Sequence, residues 1–278
     1  MNTSYLFIPA SNAGMILSSM VLEADAIIFD LEDGVAYSSK DAARSLLKHA
    51  LDTLDFLEKD IYVRINQVNT PFFLEDVLVA QHPKVNGIVL PKADLESLKV
   101  LLDHLEHPKA IILLIESALG VIQLPSLCQM TPLVKGLLLG GEDLSVDCGV
   151  ERTQEGHEID YARKSLVMHA KAFKLSAIDT PYVQIENHQG LIEETKYARS
   201  LGYDAKVAIN PRQVSYIHQA FAVDSHKLEE AKKIVEAFEH NKSQGMGVFN
   251  LDGKMIDEPV YRQALQLIQR TQGRGKKQ

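Results

Sequence analysis

The sequence predicts an α/β protein, a (β/α)8 barrel followed by a C-terminal helical extension. Three observations lead to this fold class: short β-rich runs recur along the chain, helical patterns separate them, and eight such runs are present. Strands that alternate with helices form right-handed βαβ units in a parallel sheet. Eight parallel strands close a barrel, and a single barrel domain fits the length of 278 residues.

The predicted elements follow one another in regular order. The strands are Ser4–Pro9, Asp25–Asp30, Ile61–Asn66, Gly87–Pro91, Ala110–Glu116, Gly136–Gly141, Ser176–Tyr182 and Ala205–Asn210. Helices are predicted at Lys40–Leu54, Asp94–Glu106, Tyr161–Phe173 and Ile192–Gly202. An open doubly wound sheet is the competing architecture. It would require a G-x-G-x-x-G fingerprint after the first strand, where the sequence reads "PASNAG".

Two further helices are predicted beyond the eighth strand. The first covers Ser225–Gly245 and has one apolar face, and the second begins at Pro259, a favourable first helical position. We therefore predict a barrel domain over residues 1–223 and a helical extension over residues 224–278. The closing "GRGKKQ" is expected to be a frayed terminus and not a basic binding site.

Composition and charge exclude several classes of function. Hydrophobic residues make up 46% of the chain and charged residues 24%, as in ordinary globular proteins. The net charge of −8 argues against nucleic-acid binding and against a polybasic membrane adaptor. The apolar run Ala110–Ile115 is far shorter than the roughly 20 residues that span a bilayer. The first basic residue is Lys40, and Cys128 and Cys148 form no C-x-x-C pair, so we expect a cytoplasmic protein.

Polar side chains follow seven successive strands, from the second to the eighth. In a barrel enzyme the chemistry lies at the C-terminal ends of the strands. The residues concerned are Asp30, Glu32, Asp33, Arg64, Asn66, Lys92, Glu116, Glu142, Asp143, Asp179 and Asn210. Each also has a purely structural explanation. Lys92 and Glu142 could be solvated loop residues and Asp33 a cap of the next turn, whereas Arg64 is expected to bind an anion in preference to pairing with a nearby acid.

Glu116 and Asp143 are the candidate metal ligands. Two carboxylates at adjacent strand ends repel each other unless a cation lies between them. Few, hard oxygen ligands leave room for water and substrate, which suits Mg2+ better than Zn2+. Gly140 and Gly141 should allow close approach of the backbone to a ligand and turn their amides towards an anion. With Arg64 opposite, such a site would hold a 2-oxo acid by its carboxylate and keto oxygens.

Nine short motifs extend this interpretation to most of the chain. They are "LFIPASN", "DLEDGVA", "VRIN", "VLPKAD", "IESALG", "GGEDL", "AKAFKLSAIDTPY", "INPRQ" and "GKMIDEPV". In this order they resemble the citrate lyase beta-subunit and malyl-CoA lyase family of thioester carbon–carbon lyases, which includes the mitochondrial citrate lyase beta-like protein. The resemblance implies a (β/α)8 barrel enzyme that cleaves a citryl, citramalyl or malyl thioester to an acetyl thioester and a 2-oxo acid.

The resemblance also implies a role for each site residue. Glu116 and Asp143 would bind Mg2+, Asp33 would lie near the waters of the metal, and Arg64 would bind and polarise the oxo acid. Asp257 would be the acid/base at the thioester methyl, supplied by a neighbouring subunit of a homotrimer or other homo-oligomer. Asp257 could instead cap the helix that begins at Pro259.

Several alternatives stay open at the level of sequence. Thr3-Ser4 stands where family members often carry an arginine, and Asn210 stands where CoA-using relatives often carry a histidine. The thioester could therefore be carried by CoA or by an acyl-carrier protein, and other citrate lyase subunits could be partners. A class II pyruvate-type aldolase is a second enzyme reading, although no histidine base is evident. A catalytically silent oxo-acid-binding subunit is the third.

Overall fold

Eight parallel strands form a closed barrel in residues 2–221. The structure, a computed structural model, describes residues 2–274, with side chains up to residue 269 and at residue 271. The strands lie side by side in chain order, and β1 pairs with both β2 and β8, which confirms the predicted barrel. They are β1 (Ser4–Pro9), β2 (Ala26–Asp30), β3 (Asp60–Arg64), β4 (Gly87–Leu90), β5 (Ala110–Ile115), β6 (Val134–Leu139), β7 (Ser176–Asp179) and β8 (Ala205–Ala208).

Helices follow every strand of the barrel. They are α1 (Ala13–Ser19), α2 (Lys40–Thr53), α3 (Phe73–Ala80), α4 (Leu95–Asp103), α5 (Ala118–Ile122), α6 (Leu124–Met130), α7 (Gly141–Asp147), α8 (Asp160–Ala172), α9 (His188–Leu201) and α10 (Arg212–Phe221). The four predicted helices of the barrel correspond to α2, α4, α8 and α9. The others were not predicted, although α3 buries Phe73, Val77 and Ala80 at helical spacing.

Alternate residues of the strands form two separate apolar clusters. One cluster consists of strand residues alone, among them Ile28, Leu114 and Val207, and fills the interior of the barrel. The other combines the intervening strand residues with helix residues and forms the layer between barrel and helices. Because side chains alternate along a strand, Arg64 and Glu116 continue the interior rows at the C-terminal ends of β3 and β5. This edge of the barrel carries the candidate site.

From residue 222 the chain forms a second compact unit. Its elements are α11 (Ser225–Ser243), β9 (Phe249–Leu251), β10 (Lys254–Ile256) and α12 (Glu258–Arg274). The two predicted helices of the tail are α11 and α12; the antiparallel hairpin between them was not predicted. Asp252 and Gly253 form its turn with φ of 50° and 85°, the left-handed conformation that two-residue hairpin loops favour. Phe238 stacks on Tyr261 with ring centroids 4.5 Å apart.

No helix in the described part of the chain is long and apolar enough to cross a membrane. Most of the closing "GRGKKQ", residues 275–278, lies outside the described residues.

Candidate active site

Arg64 is held at the end of β3 by an acid of the neighbouring strand. Its Nε and Nη2 donate to Oδ1 and Oδ2 of Asp30 at 2.8 and 2.7 Å, a bidentate pair. The register of the sheet explains this contact, because Asp30 of β2 lies opposite Arg64 of β3. Burial disfavours the guanidinium charge, but the pairs with Asp30 and Glu32 outweigh it and raise the pKa of Arg64 above its ordinary value.

The remaining nitrogen of Arg64 faces the loop that follows β2. Nη1 lies 3.1 Å from Glu32 Oε2 and 3.7 Å from Asp33 Oδ2. The guanidinium also lies 4.8 Å from the centre of the Phe7 ring. Arg64 is thus paired with a nearby acid, Asp30. The sequence alone favours anion binding over this pairing. Nη1 is the nitrogen directed towards the exposed Asp33.

The loop after β2 is fixed by hydrogen bonds to its own backbone. Asp30 Oδ1 accepts from the amide of Glu32 and Oδ2 from the amide of Gly34, both at 2.8 Å. Lys40 Nζ donates to the carbonyl oxygens of Leu31 and Glu32 at 2.7 and 2.6 Å. Asp30 therefore binds both Arg64 and the backbone of the loop that carries the acids.

Glu116 is buried at the end of β5 and accepts a backbone hydrogen bond from the loop that follows the neighbouring strand β4. The amide of Lys92 donates to Glu116 Oε1 at 2.6 Å. Lys92 adopts φ of 43°, an uncommon conformation for a residue with a side chain, and it turns the amide towards the carboxylate while its side chain is exposed. Burial and the charges of Glu32 and Asp143 raise the pKa of Glu116 to about 8.

Gly140 and Gly141 approach other groups closely, but these groups belong to the protein. A Cβ at Gly140 would lie 2.8 Å from Glu116 Oε2, and one at Gly141 would lie 2.9 Å from Thr180 Oγ1. The Gly140 amide donates to Ile115 O and the Gly141 amide to Thr180 Oγ1, each at 2.9 Å. The prediction that both amides face an anion is therefore wrong, because β5 and the loop after β7 already satisfy them.

The first turn of α7 carries the two acids that follow these glycines. Asp143 is exposed at the edge of the barrel, and its charge contributes to the raised pKa of Glu116. Glu142 is partly exposed, and its Oε1 lies 3.4 Å from Nε of Arg152. Burial raises the pKa of Glu142, and Arg152 opposes this effect. The structure thus gives Glu142 an ionic partner within the chain.

Asp257 lies in the second unit, between β10 and α12. Its Oδ1 accepts from the amide of Val260 at 3.1 Å, and its carbonyl oxygen accepts from the amide of Tyr261 at 3.0 Å. These bonds cap the first turn of α12, which is the structural role that the sequence left open. Eight of the nine predicted site residues thus belong to the edge of the barrel, and Asp257 belongs to the tail.

The acids at this edge have the chemistry of a site for a hard divalent cation. Glu116 and Asp143 are two oxygen donors at the ends of neighbouring strands, and Glu32 Oε2 is buried with the ion pair to Arg64 Nη1 but no hydrogen bond. Burial also raises the pKa of Glu32 to about 7. Within residues 2–274 no three His, Cys, Asp or Glu side chains form a metal-holding group. Mg2+ commonly binds one or two carboxylates and completes its shell with water and substrate, so the residues present fit it.

Three residues that shape this edge were given no role in the predicted site, although Asp30 and Glu32 were among the polar residues at the strand ends. Asp30 and Glu32 stand in the quoted "DLEDG", but three acids within four positions do not reveal which one contacts Arg64. The strand register supplies that information. Arg152 lies in the irregular segment after α7, where neither periodicity nor a strand end marks it.

Comparison with known proteins identifies the family to which the chain belongs. Residues 3–211 match the HpcH/HpaI aldolase/citrate lyase family. Citrate lyase subunit beta of Haemophilus influenzae is 36% identical over 278 residues, covering 96% of each chain. The mitochondrial citramalyl-CoA lyase of Homo sapiens is 30% identical over 93% of this chain and 82% of its own. The chain belongs to this family, which confirms the resemblance inferred from the motifs and the class of enzyme, a carbon–carbon lyase.

Solved structures agree with this assignment. The protein CitE of Mycobacterium tuberculosis, crystallised in complex with magnesium, acetoacetate and coenzyme A, superimposes with a TM-score of 0.84. It is 29% identical to this protein, and the match covers 98% of both chains. The relative therefore shares the fold, and it was crystallised with the metal that was predicted from the sequence.

Proposed function

We propose that this protein is a Mg2+-dependent lyase that cleaves a 3-hydroxy-acid thioester into an acetyl thioester and a 2-oxo acid. Citryl, citramalyl and malyl thioesters are the substrate class, with oxaloacetate, pyruvate or glyoxylate as the oxo acid. One observation carries the proposal: Glu116 follows β5 and Asp143 follows the neighbouring strand β6, on the edge where Arg64 is fixed by Asp30.

Each residue of the edge has a defined part in the proposed site. Glu116 and Asp143 would hold the metal, and the Lys92 amide fixes one oxygen of Glu116. The loop with Asp33 borders this position. When bound, Mg2+ supplies Lewis-acid polarisation of the substrate oxygens. Gly140 keeps the backbone that follows β6 close to Glu116.

Arg64 would stabilise the charge that develops during the reaction, and Asp257 would supply a proton. Transfer of the proton from the 3-hydroxyl to solvent water forms the carbonyl of the oxo acid, and the carbon–carbon bond breaks. The bonding electrons pass to the thioester, which leaves as an enolate. Arg64 stabilises charge on the oxo-acid oxygens because its guanidinium is held in place before the reaction. Asp257 of a neighbouring subunit donates the proton that converts the enolate into the acetyl thioester.

The proposal includes the form in which the protein works. A homotrimer or other homo-oligomer would bring Asp257 of one copy to the barrel edge of another. The acyl group could be carried by CoA or by an acyl-carrier protein, since the relatives include both a citrate lyase subunit and a citramalyl-CoA lyase. The citrate lyase relatives support other lyase subunits as partners, and the sequence supports a cytoplasmic location.

The test is direct turnover of the three candidate thioesters. Citryl-CoA, citramalyl-CoA and malyl-CoA are incubated with the protein, with Mg2+ and with excess chelator, and the released oxo acid is quantified as its hydrazone. We expect one thioester to be cleaved in the presence of Mg2+ only, and Glu116→Gln to abolish cleavage. An acyl-carrier-protein thioester is assayed as the fourth substrate.

The outcomes separate the proposed lyase from the other readings. Binding of oxo acid without turnover of any thioester would favour the silent subunit. Cleavage of a free 4-hydroxy-2-oxo acid, with no thioester cleaved, would favour the class II aldolase. Cleavage that is unaffected by chelator would contradict the metal-dependent site.

A further inference from the structure

Arg152 binds three acids that come from three different parts of the barrel domain. Its Nη1 lies 2.7 Å from Glu158, and its Nη2 lies 3.2 Å from Glu194 of α9. Its Nε lies 3.4 Å from Glu142 in the first turn of α7, an ion pair without the geometry of a hydrogen bond. Each guanidinium nitrogen therefore contacts one carboxylate, and the side chain of Arg152 is only 13% exposed.

Behind Arg152 the ion pairs continue into the fully buried layer between barrel and helices. Glu194 Oε1 also binds Nη2 of Arg163 at 3.2 Å and Nζ of Lys206 at 2.6 Å. Both cations in turn bind Asp179, at 3.0 and 2.6 Å. Lys206 and Asp179 lie on adjacent strands β8 and β7 and are completely buried. Arg152 is thus anchored, through Glu194, to the rigid wall of the barrel.

In the other direction Arg152 reaches the metal-binding edge. Asp143 directly follows Glu142, and both lie in the first turn of α7, a helix of only seven residues. The segment after α7 contains no helix or strand until the short turn at His157–Ile159, so regular structure does not fix it. The ion pair with Arg152 and the bond from the Gly141 amide to Thr180 tie this turn to its surroundings.

We propose that Arg152 is a positioning residue for the reaction, acting through Glu142 to hold Asp143 over the ends of β5 and β6. The inference rests on the proposed function, because it assigns Arg152 to the geometry of the proposed metal site. Without Arg152, three carboxylates would remain close together with one cation fewer, and their repulsion would displace the turn that carries Asp143. A lysine could replace the charge, but not the planar fork that contacts all three acids.

The test measures Mg2+ binding directly, by titration calorimetry, beside thioester cleavage. The variants are Arg152→Gln, Arg152→Lys and, as the matched control, Lys171→Gln. Lys171 of α8 binds the buried Asp204 at 2.6 Å, but at the N-terminal end of β8, away from the site. We expect Arg152→Gln to weaken Mg2+ binding at least tenfold and Arg152→Lys to recover part of it. Lys171→Gln should lower thermal stability without changing Mg2+ affinity.

Further outcomes distinguish positioning from a general effect on stability. Glu142→Gln keeps the ion pairs of Arg152 with Glu158 and Glu194 and removes only the one with α7, so it should also weaken Mg2+ binding. This variant provides the test if Arg152→Gln does not fold. Unchanged Mg2+ affinity in either variant, whatever the loss of stability, would overturn the role of Arg152. If the wild-type protein bound no Mg2+ and cleaved no thioester, the proposed function itself would fall.

Discussion

A methyl group at Gly140 would collide with the carboxylate that we assign to the metal. The Cβ of an alanine there would lie 2.6 Å from Glu116 Cβ and 2.8 Å from Glu116 Oε2. The backbone of Gly140, with φ of −99°, lies outside the left-handed region, so the effect of Gly140→Ala arises from this contact and not from a strained conformation. Ordinary separations of carbon atoms begin at about 3.5 Å, so Glu116 or β6 must move by about 1 Å.

A displacement of this size is large compared with what a metal site tolerates. Mg2+ requires oxygen ligands at about 2.0–2.1 Å in near-octahedral geometry. A misplacement of about 1 Å costs on the order of 100-fold in rate, equivalent to about 2.7 kcal/mol of transition-state stabilisation. We therefore expect Gly140→Ala to lower kcat/KM for the thioester about 100-fold and to raise the Mg2+ concentration at half-saturation. Both are measured by initial rates across a Mg2+ titration.

Gly136→Ala, within β6 and four residues before Gly140, provides the matched control. The nearest atoms to its added Cβ lie at 3.4, 3.5 and 3.6 Å, which are ordinary contacts. It should keep wild-type activity within about a factor of two, with unchanged Mg2+ dependence. Wild-type activity in Gly140→Ala, or an equal loss in both variants, would refute the argument that Gly140 makes room for a ligand carboxylate.

Three other perturbations follow from the same contacts. Asp30→Asn leaves Arg64 buried without its bidentate partner and should lower the free energy of unfolding in urea by about 3 kcal/mol or more; a loss below 1 kcal/mol would contradict it. Without Mg2+, the raised pKa values of Glu32 and Glu116, about 7 and 8, mean that the folded state retains protons that the unfolded state has lost. Stability should then fall as pH rises from about 5 to 8, by up to roughly 1.4 kcal/mol per pH unit and group, and saturating Mg2+ should reduce this fall; stability that rises with pH in the metal-free protein would be inconsistent with it. Asp257→Asn preserves the helix cap, so it should leave the melting temperature unchanged and reduce cleavage more than 100-fold, whereas retained cleavage would assign Asp257 to capping alone.

The barrel could be predicted because its determinants are local. Each strand is a short apolar run, and eight parallel strands that alternate with helices close into a barrel. The short helices α1, α5 and α7 escaped prediction because five to seven residues hardly display a helical period. The hairpin β9–β10 has only three residues in each strand, too few for a clear alternation.

The sequence predicts where the candidate site lies, but not which of its side chains contact each other. Strand ends located Arg64, Glu116 and Asp143, because parallel strands end at the same edge. The choice of Asp30 as partner of Arg64 depends on the register between β2 and β3. The contact of Arg152 with Glu194 joins residues 42 positions apart, which no local pattern encodes.

The hydrogen bonds of the Gly140 and Gly141 amides also could not be predicted from the local sequence. A glycine pair after a strand predicts close approach, which the structure has at Glu116. Whether the amides are available depends on the neighbouring elements. Here Ile115 O and Thr180 Oγ1 accept both hydrogen bonds, and Thr180 lies 39 positions from Gly141.

The proposed function depends on a divalent ion that lies between Glu116 and Asp143 and orients the oxo acid. Crystals grown with Mn2+ and oxaloacetate test it most directly, because Mn2+ favours the same oxygen ligands and gives an anomalous signal. We expect one anomalous peak within bonding distance of a carboxylate oxygen from each of the two residues, with oxaloacetate completing the shell. A peak elsewhere, or bound oxaloacetate with both carboxylates turned away from it, would contradict the account.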